Sequence, residues 1–368
     1  MPFSREGSSV FIAVLILNII GTVMIFSASA VYADKYYADG FFFLKRQCLY
    51  LSLGLIGLFL TASLDIKWVQ KNAKLILLLS FLLLLTVYLP FIGKTSGGAR
   101  RWITLLGFTF QPVELVKICM AIYLSDYLAR KLKWIQSGSI LIFVPPALIL
   151  GATFAVIILQ PDLGSVVFLF LLSSILFFLS GIRMRYIIIG ALAAIPVFAF
   201  AVIQAPYRMA RVLSFLNPWA DPQGSGFQII QSFLSFGLGG IHGVGLGESV
   251  QKLFYLPQSY TDFIFSIVGE ELGLIGSLFV VIIFVFLMFQ GLRIAKRETD
   301  AFRKLLAYAI VLIVSLQAII NMLVSTGMIP TKGLPLPFIS YGGSSLICSM
   351  MAVGILLAID RQSAVKEI

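Results

Sequence analysis

Gly333-Leu-Pro-Leu-Pro-Phe-Ile-Ser-Tyr-Gly-Gly-Ser-Ser345 lies between two long apolar runs, so it sits at or near a membrane. Pro335, Pro337, Gly342 and Gly343 make it a poor helix. Irregular backbone at membrane depth is tolerated only where protein buries it or a watery cavity solvates it. Such a stretch usually lines a site, and a basic residue, Lys332, immediately precedes it.

The rest of the chain agrees with a membrane setting. It is 60% hydrophobic and 12% charged, with a mean hydropathy of +1.01, whereas a soluble domain carries about 25% charged residues. The expected fold class is all-α, a polytopic integral membrane protein. Ten candidate spans lie near 10–30, 48–64, 75–92, 112–129, 140–159, 164–181, 186–204, 263–291, 305–328 and 343–359. The first reads as an anchor rather than a removed signal. No soluble domain is expected at either end, so residues 1–368 form a single transmembrane domain. Its largest loop, about 205–261, separates spans seven and eight. Cys48, Cys119 and Cys348 are scattered in or beside apolar runs and suit packing rather than a disulfide framework. The lone His242 excludes a multi-histidine metal site.

Lysine and arginine set the orientation. With the N-terminus in the cytoplasm, inner segments hold 16 of the 27 Lys and Arg and outer loops hold 10, with Lys117 inside a span. Both termini are therefore expected in the cytoplasm, and the large loop outside. Much of the +11 net charge is ordinary topology signal and does not point to nucleic acid. The outer cations are more telling, because Arg100 and Arg101 follow Ser96-Gly97-Gly98 and Lys332 precedes the Gly/Pro stretch. They read either as headgroup or ion-pair contacts, or as a grip on an anionic ligand at the outer face.

In this topology every even-numbered span starts outside. The starts are Gln111-Pro112, Pro161-Asp162-Leu163-Gly164, Thr261-Asp262-Phe263 and Ser340-Tyr341-Gly342-Gly343-Ser344. Asp162 and Asp262 suit plain capping. Four outward helix ends beside arginines also suit a diphosphate, leaving the two carboxylates a role of their own. Glu114 and Lys117, three apart, share a helix face as either a structural salt bridge or part of a site. Asp126 and Arg130 read as a helix-end pair. Glu270 and Glu271 lie roughly 12 Å beyond Asp262 along span eight and read as a relay or an anchor. The sequence holds no Walker loop or dinucleotide fingerprint. A reaction at the outer face must then draw its driving force from the substrate.

Taken in order, the motifs resemble those of the SEDS family (shape, elongation, division and sporulation). They are Gly97-Gly98-Ala99-Arg100-Arg101-Trp102, Gln111-Pro112-Val113-Glu114-Leu115-Val116-Lys117 and Gln160-Pro161-Asp162-Leu163-Gly164. Gly243-Val244-Gly245-Leu246-Gly247, Leu256-Pro257, Thr261-Asp262-Phe263-Ile264-Phe265 and Gly269-Glu270-Glu271-Leu272-Gly273 follow. Three features lean toward the division branch over the elongation branch: Phe26-Ser27-Ala28-Ser29-Ala30, Asn217-Pro218-Trp219-Ala220-Asp221-Pro222 and Pro330-Thr331-Lys332-Gly333.

The resemblance implies an inverting glycosyltransferase that polymerises lipid II into peptidoglycan at the outer face of the bacterial cytoplasmic (inner) membrane, at the septum. It makes Asp262 the catalytic base. Arg100, Arg101 and Lys332 would neutralise the leaving diphosphate, and Glu114 and Lys117 would order the cavity. Asp162, Ser340, Gly342 and Gly343 would contribute to substrate binding, with Asp162 also able to hold a divalent cation, Mg or Mn. The implied partners are lipid II, undecaprenyl-diphosphate-linked glycan, a class B penicillin-binding transpeptidase, division-complex proteins and membrane lipid. The chain departs from the family in having Gln258 and Tyr260 where many similar sequences carry Glu and His, which removes those positions as an acid or base here. A lipid II flippase, an elongation-type polymerase and a recruiting scaffold remain the alternatives. A flippase needs a polar path to the inner leaflet, and a scaffold tolerates loss of Asp262.

Overall fold

The computed structural model describes residues 3–364 apart from 91, 97–98, 106–107, 138–139 and 254, so Gly97 and Gly98 of the outer-loop motif lie outside the described residues. Five helices precede the middle of the chain: α1 (Arg5–Tyr37), α2 (Phe42–Ser63), the short α3 (Ile66–Lys71), α4 (Ala73–Leu85) and α5 (Pro112–Ser137). Next come α6 (Val144–Leu159), α7 (Leu163–Leu179), α8 (Met184–Ile203), α9 (Pro206–Leu216) and α10 (Phe227–Gly239). The last three are α11 (Ile264–Arg297), α12 (Ala301–Ser325) and α13 (Gly343–Ala364). Among the described residues, seven helices are long and apolar enough to cross a membrane, including α1, α2, α8, α11, α12 and α13. The shorter apolar α4 and α7, with the charged α5, complete the ten anticipated spans.

Capping follows the sequence. Ser4 accepts from Gly7 N at the start of α1, and Asp65, Asp162 and Asp300 cap α3, α7 and α12. The two chain ends meet on one side of the bundle. Asp360 near the end of α13 accepts from Ser4 N (2.9 Å) and Ser4 Oγ (2.5 Å), and Arg297 at the end of α11 pairs with Glu6 (2.5 Å). Helices α2 and α13 approach closely. A Cβ on Gly354 would lie 2.3 Å from Leu58 O, so only glycine permits this approach. By contrast, α8 buries no residue and presents its apolar side chains outward, as lipid contact requires.

Two features extend the all-α expectation. The outer loop before α5 forms a three-stranded antiparallel sheet, β1 (Gly93–Ser96), β2 (Ala99–Leu105) and β3 (Phe108–Phe110), in the order β1-β2-β3. The large outer loop is substantially helical, and its α10 packs on α11.

The reason lies at Gly273, where φ is 67° and ψ is −163°, breaking α11 within its apolar length. The break frees backbone groups that lipid cannot satisfy. The glycine-rich turn after α10 supplies partners. Val244 N and Gly245 N donate to Glu270 O (3.0 Å) and Glu271 O (3.1 Å), and Gly240 O accepts from Leu274 N (2.9 Å). Gly243 has φ +80°, and a Cβ there would lie 2.2 Å from Glu271 O.

Gly243→Ala is therefore expected to unfold or markedly destabilise the chain, since a left-handed residue alone costs about 1–2 kcal/mol and the clash adds to it. Gly245 (φ +111°) shares the backbone strain, but its nearest neighbour is the flexible Glu248 side chain at 3.6 Å. Gly245→Ala should therefore be the milder change. Thermal melting of the purified variants checks the order, and equal losses would refute the clash.

The neighbouring acids anchor the same loop. Glu270 accepts from Ser249 Oγ (2.5 Å), Val250 N (2.8 Å) and Gln251 N (3.3 Å). Glu271 takes Ser27 Oγ (2.6 Å) and the buried Lys252 ammonium (2.9 Å). Both glutamates are satisfied structurally, as an anchor requires. The same contacts give Ser27 and the outer cation Lys252 their roles.

Candidate active site

Asp262 sits at the mouth of α11, before the first helical residue, Ile264. Two backbone segments are stitched around it. Asn321 Nδ2 on α12 donates to Asp262 O (2.8 Å) and to Leu334 O (2.8 Å). Ser340 Oγ donates to Thr261 O (2.6 Å) and accepts from Leu336 N (2.7 Å), while Tyr341 N donates to Tyr260 O (2.9 Å). The Gly/Pro stretch thus forms one wall of the site, with its backbone satisfied by protein. Gly333 presses on the carboxylate: a Cβ there would lie 3.1 Å from Asp262 Oδ2.

Charge gathers around this carboxylate. Burial is the main cause that pushes the Asp262 acid up to about 6, and the Asp162 charge adds to it. The guanidinium groups of Arg211 and Arg101 work in the opposite direction. Burial also holds Lys332 below its ordinary value, against the pull of Asp162. Asp162 caps α7, accepting from Ser165 N (3.2 Å) and Ser165 Oγ (2.8 Å). The Lys332 stem lies beside that helix start, since a Cβ on Gly164 would be 3.6 Å from Asp162 Oδ1 and 3.8 Å from Lys332 Cδ. Asp162, Asp262, Lys332, Arg101 and Arg211 therefore share one electrostatic neighbourhood.

The two arginines read together in the sequence separate in the structure. Both lie on β2, where successive side chains point to opposite faces. Arg101 reaches the α6–α7 turn, donating to Gln160 O (3.1 Å) and to Pro161 O. Arg100 turns to Leu89 O (3.2 Å), and its Nε is buried without a partner among the described residues. The Asp262 carboxylate feels Arg101.

Glu114 and Lys117 lie behind the wall. Lys117 Nζ pairs with Glu114 (2.7 Å), donates to Gln317 Oε1 (3.2 Å) and stands 4.7 Å from the Phe168 ring centroid. Gln317 Nε2 in turn donates to Pro335 O (3.0 Å) and Ser345 Oγ (3.2 Å). The pair reaches the Gly/Pro stretch through one amide. Gly342 O accepts the opening bond of α13 from Leu346 N (2.9 Å), and Gly343 lies under the Tyr50 ring. Ser340, Gly342 and Gly343 thus shape the wall, and the Ser340 hydroxyl is committed to backbone.

Three contributors were not singled out by the sequence reading. Arg211, on α9, donates to Thr331 O (3.3 Å) beside Lys332. Gln317 and Asn321 are four apart, so they share a face in the apolar second half of α12. That spacing was a usable signal. Tyr260 packs with Tyr32, Phe43 and Tyr341 in an aromatic cluster next to the site, a packing role that suits its departure from histidine. Among the described residues no three His, Cys, Asp or Glu side chains gather as metal ligands.

Known proteins share this architecture and sequence. The profile of the FtsW/RodA/SpoVE cell cycle proteins matches residues 8–365. A Geobacter sp. (strain M18) protein named "Probable peptidoglycan glycosyltransferase FtsW" is 45% identical over 356 residues, 96% of each chain. Stage V sporulation protein E of Bacillus subtilis is 42% identical over 355 residues, also 96% of each. Among solved structures, a chain from "Structural coordination of polymerization and crosslinking by a peptidoglycan synthase complex" aligns with a TM-score of 0.82 and 28% identity over 99% of both chains. The rod shape determining protein RodA of Thermus thermophilus shares the fold, with a TM-score of 0.71 and 23% identity over 98% of both. Full-length agreement in sequence, helix order and fold makes this chain a polytopic membrane protein that belongs to the FtsW/RodA/SpoVE family, the SEDS proteins.

Proposed function

We propose that this chain is a peptidoglycan glycosyltransferase that polymerises lipid II at the outer face of the cytoplasmic membrane, during septal wall synthesis. The observation that carries the reading is a desolvated carboxylate, Asp262, at the mouth of α11 in one electrostatic neighbourhood with Arg101, Arg211, Asp162 and Lys332. Relatives named as peptidoglycan glycosyltransferases support it.

The acceptor is lipid II and the donor is the growing glycan on its lipid diphosphate. Asp262 takes the proton of the acceptor 4-hydroxyl as that oxygen bonds to the donor's anomeric carbon. The bond from that carbon to the diphosphate oxygen breaks, and the anion leaves. Attack from the opposite face inverts the centre. Arg101, Arg211 and Lys332 offset the charge that grows on the leaving diphosphate, an effect magnified where water is excluded. Asp162 is the residue that would hold a divalent cation, which would supply further charge neutralisation.

A base must be ionised to act. With its acid near 6, the rate of polymerisation should rise with pH through that value and level off above it. Arg211→Gln removes a cation that favours the ionised form, so its midpoint should move upward. Rates measured from pH 5 to 8 check both. A midpoint unmoved in the variant would separate Arg211 from the base.

The division assignment rests on the sequence motifs and on relatives named FtsW. The partner reading is a class B penicillin-binding transpeptidase within the division complex, in line with the peptidoglycan synthase complex that the fold matches. The test is purified protein with purified lipid II, with and without its cognate transpeptidase. Glycan polymer supports the enzyme. Lipid II movement across a bilayer without polymer would replace it with a transporter.

A further inference from the structure

A charged cavity lies at the end of the bundle away from the Asp262 site. It has a volume of about 290 Å³ and is lined by Ile66, Lys67, Gln70, Asp300, Phe302 and Arg303. Arg303 is 18 residues before Asn321 on α12, which places it roughly 27 Å from the Asp262 site at 1.5 Å per residue. The cavity is formed by α3, the inner turn of the chain after α2, and by the first turn of α12.

Its key side chain is unusual. Arg303 is 5% exposed, and its Nη1 is buried without a hydrogen-bond partner among the described residues. Its Nη2 meets only a neutral acceptor, Gln362 Oε1, at 3.2 Å. No carboxylate pairs with this guanidinium among the described residues. Asp300 is the nearest candidate in sequence, but its Oδ1 accepts from the Arg303 backbone N (3.0 Å) as the α12 cap. Of the other acids in the vicinity, Asp126 pairs with Arg130 and accepts from Gln70 Nε2 (3.5 Å), and Asp65 caps α3 by accepting from Lys67 N (3.0 Å). Glu298 forms no ion pair with Arg303 among the described residues. A buried guanidinium left in this state calls for an anion.

Four features define the anion. Lys67 supplies a second cation on the cavity wall. The N-terminal end of α12, a helix of 25 residues, opens at the same place and favours negative charge. Trp68, beside Lys67, is 55% exposed and suits a membrane–water interface. Ile66 and Phe302 give the cavity an apolar side. A phosphate with an apolar body attached fits that combination.

We propose that this cavity binds the phosphate of an anionic phospholipid of the cytoplasmic leaflet, with Arg303 and Lys67 as its cationic contacts. The bound headgroup ties α3 to the start of α12. This site is independent of the glycosyltransferase reading.

The test uses the full chain in detergent with phosphatidylglycerol, phosphatidylcholine or inorganic phosphate added, read by native mass spectrometry and thermal melting. Wild type should retain one more phosphatidylglycerol than Lys67→Gln or Arg303→Gln, with no difference for phosphatidylcholine. Lys67 is exposed, so its variant should melt like wild type without lipid and lose most of the rise that phosphatidylglycerol gives. Protection by inorganic phosphate equal to that by phosphatidylglycerol, and lost in both variants, would keep the phosphate site but overturn the lipid as its source. Equal retention and equal melting shifts in wild type and Lys67→Gln would overturn the site.

Discussion

Asp262→Asn is expected to abolish polymerisation while leaving the fold intact. Asparagine keeps the shape of the side chain and removes only its ability to take the acceptor proton. Loss of a general base costs about 10²–10⁴ in rate, enough to erase polymer in a standard assay. Stability should move the other way. The acid is held near 6, above its ordinary 3.8, so the folded state favours the protonated form. That contribution is complete below about pH 4 and is lost as pH rises through 6. At pH 7.5 wild type carries a desolvated charge that asparagine does not. The variant should therefore melt at or above the wild-type temperature at pH 7.5, and the gap should close toward pH 4.5. Activity within tenfold of wild type would remove Asp262 as the base. A lower melting temperature at pH 7.5 would mean that Arg211 and Arg101 outweigh burial.

Much of this architecture was legible because it is local. Ten apolar runs read as ten spans, and the caps at Asp65, Asp162 and Asp300 follow from short-range chemistry. The Gly/Pro stretch announced irregular backbone through its composition alone. What escaped is nonlocal. Nothing in Gly269-Glu270-Glu271-Leu272-Gly273 shows that its free carbonyls meet the glycine turn some 30 residues earlier, so the α11 break read as continuous helix. The β2 strand was hidden in a short polar loop, and only its period-2 alternation explains why Arg100 and Arg101 diverge. Arg211 was one outer cation among ten until α9 brought it to Thr331.

The Glu114–Lys117 pair separates structural from functional coupling. Both side chains are buried, at 4% and 1% exposure, and they meet at 2.7 Å inside a span. Glu114→Gln leaves Lys117 charged and buried without its counterion, a loss expected to cost about 3–5 kcal/mol. Glu114→Gln with Lys117→Met removes both charges and keeps the volume, so most of the lost thermal stability should return. Activity should not return with it. Lys117 donates to Gln317 Oε1, and that contact fixes which face of the amide is turned to Pro335 O. Without it Gln317 keeps only its two Nε2 bonds, and the Gly/Pro wall that carries Gly333 against Asp262 loses a brace. The double variant should thus melt near wild type yet polymerise at least tenfold more slowly, because misplacement of a catalytic group by about 1 Å can cost 10²-fold. Melting curves and polymerisation rates on the same preparations check this. Full activity in a stable double variant would reduce the pair to a helix stitch, because the wall would then hold Asp262 in place without it.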